Sequence, residues 1–90
     1  MGDRYITISG KRWRLKYTKL RGRWGECDAP ETKHKEIRIA KGVRRYKRMH
    51  AYTLIHEALH ASLWPLSEEH VHELASDLAR LLEQQVCLKT

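Results

Sequence analysis

The first half of the chain alternates apolar and polar residues at period two, and the second half repeats them at the helical period. Tyr5-Ile6-Thr7-Ile8 is short and rich in β-branched residues, and Ser9-Gly10-Lys11 supplies a turn. Trp13, Leu15 and Tyr17 then fall on one side while Arg14, Lys16 and Thr18 fall on the other, so the segment predicts a β-hairpin with one apolar face. Gly22 and Gly25 punctuate the next stretch, which leaves Trp24 to Asp28 as a short strand or loop, followed by a turn at Ala29-Pro30-Glu31-Thr32. Glu36-Ile37-Arg38-Ile39-Ala40 alternates again and stops at Lys41-Gly42. The front half therefore predicts a small, twisted, mostly antiparallel sheet of three to four strands.

From about Tyr46 to Leu63 there is no Gly or Pro. Met49, Tyr52, Leu59 and Leu63 share one face with His56 and His60, and Ala51, Leu54, Ala58 and Ala61 keep the other side weakly polar. A helix apolar nearly all round is expected to be buried and central. Pro65 closes it. Ser67 reads as the N-cap of a second helix, with Glu68 and Glu69 favourable beside its N-terminal dipole. That helix runs to about Gln85, with Val71, Leu74, Ala75, Leu78, Leu81 and Leu82 as its expected buried stripe. A short linker predicts an antiparallel pair. The fold class is α+β: a sheet packed on one central helix, plus a second, C-terminal helix.

Ninety residues allow one domain, a basic β part over 1–42 and a helical part over 43–90. Hydrophobic residues make up 41% of the chain, too many for a disordered one, and no apolar run is long enough to span a membrane. Met1 leads into a strand pattern rather than an apolar leader, so a cytoplasmic protein is expected. Cys27 and Cys87 lack the spacing of a metal finger and are read as free thiols, a blocking thiolate from Cys27 being the alternative.

Charge is unevenly spread. Residues 1–55 carry sixteen Lys and Arg against five Asp and Glu, a net of +11, whereas residues 56–90 carry two against six, a net of −4. Five of the six His lie between His50 and His72. The basic half admits contact with nucleic acid or an acidic partner. Trp13 and Trp24, set among its cations, are read as core rather than as stacking platforms.

The chemistry concentrates in His56-Glu57-Ala58-Leu59-His60, an H-E-x-x-H pattern inside the first helix. Positions i and i+4 lie about 40° apart, so both imidazoles can reach one metal from a regular helix. Zinc suits two imidazole nitrogens in a tetrahedral site with a position left open. Glu57, about 100° round from His56, is placed to act on a water rather than to bind the metal. The second helix offers His70, His72, Glu73 and Asp77 as third ligand. With Val71 at the centre of its buried stripe, Asp77 and His70 lie on one edge, Glu73 nearer solvent and His72 on the other flank.

The stretch from Leu54 to Ala61, followed by Ser67 to Val71 and Leu74 to Leu78, resembles the H-E-x-x-H zinc metallopeptidases (zincins) in their smallest single-domain form, especially phage- and prophage-encoded ones. It is more distantly similar to minigluzincins, SprT-like proteins and the ImmA/IrrE group. The likeness spans roughly residues 37–82, and the extended metzincin signature is absent, since positions 63 and 66 are both Leu. The resemblance implies a zinc-dependent peptidase in which His56 and His60 bind Zn2+ and Glu57 is the general base. A gluzincin-like pattern implies an acidic third ligand, Asp77 or Glu73. The ImmA/IrrE pattern points to Glu73 and the SprT-like pattern to a His. Asp77 is the expected ligand, then Glu73, then His70. Tyr46, Tyr52 and His50 are candidates to stabilise the oxyanion, and Ile37-Arg38-Ile39 is the expected edge strand for an extended substrate. The rival reading is a nucleic-acid-binding module with a structural zinc, marked by a four-ligand site that includes His70 and Asp77.

Overall fold

Ser9 and Gly10 adopt positive φ of 50° and 77°, as a two-residue hairpin turn requires, and they join β1 (Arg4–Ile8) to β2 (Lys11–Thr18). The chain then crosses to β3 (Gly25–Cys27) and returns as β4 (Glu36–Ala40). The computed structural model describes residues 4–86, and Cys87 lies outside them. Strand order is β1-β2-β4-β3, so the return from β3 inserts β4 beside β2 and makes that pair parallel, while β1/β2 and β3/β4 are antiparallel. The sheet is mixed, with two of its three pairings antiparallel.

This order corrects one expectation. Ile37-Arg38-Ile39 is central, not an edge, and among the described residues the outer strands are β1 and β3. The chain returns from β3 into the space beside β2, so β4 pairs antiparallel with one and parallel with the other, and its inward Ile37 and Ile39 are almost fully enclosed together with Trp13. On the opposite face Arg38 lies among Glu26, Asp28 and Glu36, donating to all three. The Asp28 carboxyl is held below its usual range, first by the hydrogen bond from Arg38.

A 3-10 turn over residues 41–45 leads into α1 (Lys47–Ser62), and α2 (Glu68–Val86) runs back along it. Arg48 at the start of α1 pairs with Glu83 near the end of α2 at 2.8 Å, as an antiparallel hairpin dictates. Ser67 caps α2 by accepting the His70 N–H at 3.2 Å. At the other end of α1, the Ser62 and Ser9 hydroxyls meet at 2.7 Å and tie the helix to the hairpin turn. No helix among the described residues is long and apolar enough to cross a membrane.

The helix faces differ from the sequence expectation. α1 is central in position, yet only Thr53, Glu57 and Ala61 are buried along it. In α2 the buried residues are Val71, Ala75 and Ala79, while Leu74, Leu78, Leu81 and Leu82 are all exposed. The alanine face meets α1, and the leucines are left at the rim. At about 100° per residue, the buried face has rolled by roughly 60° from the expected leucine stripe.

Candidate metal centre

The roll of α2 determines which side chains meet the motif. It brings Glu68 to the α1 side and carries Asp77 away. His56 and His60 lie one turn apart on α1, their ring centroids 4.9 Å from each other. The Glu68 carboxylate spans the pair, with Oε2 3.0 Å from His60 Nε2 and Oε1 3.4 Å from His56 Nε2. One ligand atom from each of the three residues falls within a 4.8 Å sphere of mutual distance, a spacing that one small divalent ion can bridge. Both imidazoles are half-buried, whereas the Glu68 side chain is 78% exposed and free to adjust around an ion.

Glu57, next to His56 on α1, packs against β3. It is 5% exposed and lies over Gly25, where a Cβ would come within 2.9 Å of its Oε2. Burial, then the nearby Glu68 and Glu26 carboxylates, push its carboxyl up to about 7. A carboxyl poised near neutrality can both take and return a proton. Its neighbour Thr53 is satisfied by donating to the Met49 carbonyl at 2.7 Å.

Tyr52 stands one turn before His56, with ring centroids 5.5 Å apart. Its hydroxyl is 2.7 Å from His72 Nδ1 on α2. His72 is thus fixed at the margin of the cluster, which its neighbours Glu69, His70 and Glu73 also line. His56 has its pKa lowered by burial first, then by the neighbouring His60.

Other expected residues are elsewhere. Asp77 does not join the cluster: its side chain is exposed and paired with Arg80. The reason is the roll of α2, since Asp77 was the expected ligand only if the leucines packed inward. Glu73 and His70 line the opening without contributing a ligand atom to the cluster, and His70 is engaged with Ser67. Of the oxyanion candidates, only Tyr52 is adjacent. His50 is bonded to the Tyr17 hydroxyl at 2.7 Å, and Tyr46 opens onto a different cleft. Cys27 is a free thiol, pushed up to about 12 by burial and then by Glu57 and Asp28, and it does not belong to the His56–His60–Glu68 cluster. Trp13 is core, but Trp24 is half exposed.

Glu68 was missed because it read as a dipole partner in the first turn of α2. The signal lay in its spacing: Glu68 and His72 repeat on α2 the i, i+4 interval of His56 and His60 on α1. In comparisons with known proteins, no family model, no curated protein and no solved structure matches this chain.

Proposed function

We propose that this protein is a zinc-dependent peptidase in which His56, His60 and Glu68 hold the metal and Glu57 is the general base. The convergence of two imidazole Nε2 atoms on one carboxylate carries the reading. Two nitrogens and an oxygen form a donor set that zinc favours, and three ligands among the described residues leave a coordination position open. Zinc, when bound there, supplies a Lewis acid that polarises a peptide carbonyl and acidifies a water.

The chain's own residues do the rest. The Glu57 carboxylate takes a proton from the attacking water and returns it to the leaving amine. The Tyr52 hydroxyl, oriented by His72, donates to the developing oxyanion. The outer edge of β3, just under Glu57, offers backbone groups with which an extended peptide pairs. The reading places the protein in the cytoplasm, where a thiol such as that of Cys27 stays reduced.

The alternative, a structural zinc in a binding module, called for His70 and Asp77 as additional ligands, and neither belongs to the cluster. The deciding experiment incubates zinc-loaded protein with an unfolded generic protein substrate. Cleavage is expected, lost on chelation and restored by zinc, and absent from a Glu57→Gln variant that still binds metal. Unimpaired cleavage by that variant, or none by the zinc-loaded protein, overturns the proposal.

A further inference from the structure

At the end of the sheet away from the hairpin turn, three features that folding does not explain share one opening. Trp24 is 49% exposed and Tyr46 is 58% exposed, and both line a cleft with Leu20, Val43, Arg23 and Arg45. The cleft is built by the strand order. The Trp24 carbonyl accepts the Ala40 N–H at 2.8 Å, which sets the residue 24 backbone beside the start of the 3-10 turn that carries Arg45 and ends at Tyr46.

The second feature is the helix start. Tyr46 occupies the N-cap of α1 without a side-chain cap, and the first turn contains no acid. Lys47 and Arg48 instead put cations against the positive end of the helix dipole, which costs stability. The third is the disposition of charge. Arg23, Arg44 and Arg48 are engaged by Glu26, the Tyr17 ring and Glu83 respectively. Lys41, Arg45 and Lys47 have no carboxylate partner among the described residues.

We propose that the Trp24–Tyr46 cleft binds single-stranded nucleic acid, with bases stacked on the two rings and phosphates neutralised by Arg45 and the flanking Lys41 and Lys47. Aromatic faces beside unpaired cations are what an unstacked, anionic polymer recognises. A duplex keeps its base faces to itself and gains only the charge. This inference goes beyond the peptidase reading and does not depend on it. Tyr46 precedes His56 by ten residues, about 15 Å along the helix axis, so a strand in the cleft leaves the metal cluster open.

The test is fluorescence anisotropy with a labelled oligothymidylate of about 15 nucleotides. The full chain is expected to bind it more tightly than a duplex of equal length, and to have its tryptophan emission quenched. Trp24→Ala and Tyr46→Ala each weaken binding about ten-fold or more, whereas Tyr46→Phe keeps the ring and the affinity. Arg45→Gln lowers the slope of log affinity against log salt by about 0.7. Circular dichroism checks that each variant is folded, and the exposed Tyr46 and Arg45 keep the test valid should Trp24→Ala unfold. Folded alanine variants that bind like the parent chain overturn the proposal. So does a duplex that binds as well, or a polyglutamate peptide that competes equally.

Discussion

Gly25 on β3 lies directly beneath Glu57 on α1, with room for a hydrogen and not for a methyl group. An added Cβ would stand 2.9 Å from Glu57 Oε2 and 3.0 Å from Thr53 Cγ2. Both of those side chains are buried, so neither can swing aside. Gly25→Ala is therefore expected to lower stability by about 1–3 kcal/mol in denaturant unfolding, and to reduce the proposed peptidase activity by displacing the proposed base, Glu57. A variant as stable and as active as the parent chain contradicts this contact.

Glu57 makes stability depend on pH. Its carboxyl is raised from 4.5 to about 7, so the folded state favours the protonated form. The resulting stabilisation is fully present below the unfolded pKa and is lost as pH rises through the folded one. Comparing metal-free parent chain with Glu57→Gln isolates the effect from the histidines. The two are expected to be similar near pH 4, with the Gln variant gaining an advantage of roughly 3 kcal/mol by pH 8. Parallel stability curves refute the raised pKa.

Arg38 neutralises three carboxylates on the outer face of the sheet. Its replacement by Gln is expected to cost about 1–3 kcal/mol near neutral pH. The carboxyl of Asp28 has a depressed pKa, so its share is present above the unfolded pKa and disappears as pH falls through the folded one. Urea unfolding near pH 7 and near pH 3 checks the sign: the penalty shrinks in acid. An equal penalty at both values argues against the ion-pair origin.

Tyr52→Phe removes only the hydroxyl that meets His72. If that hydroxyl serves the oxyanion, kcat falls about 100-fold while KM and zinc content stay close to those of the parent chain. Loss of zinc along with activity would reassign Tyr52 to holding the cluster together.

The legible part of this protein is the local part. The hairpin at Ser9-Gly10, the strand at 36–40, the Ser67 cap and the His56–His60 interval all depend on residues within a turn of each other, where period and turn chemistry decide. What failed depends on how distant surfaces meet. Nothing in the alternation of Ile37 and Ile39 tells a central strand from an edge. The proposed third ligand turned on whether α2 packs through its leucines or through Ala75 and Ala79, two faces between which the helical period alone does not choose. Gly25 read as a loop marker, although its small size is required by a carboxylate 32 residues later.

Zinc titration against a competing chromophoric chelator tests the metal cluster most directly, on the parent chain, Glu68→Gln and Asp77→Asn. The parent chain and Asp77→Asn should each take up one zinc with equal affinity, and Glu68→Gln should bind at least ten-fold more weakly. A parent chain that takes up no zinc, or an Asp77→Asn variant that loses zinc while Glu68→Gln keeps it, contradicts the His56–His60–Glu68 site.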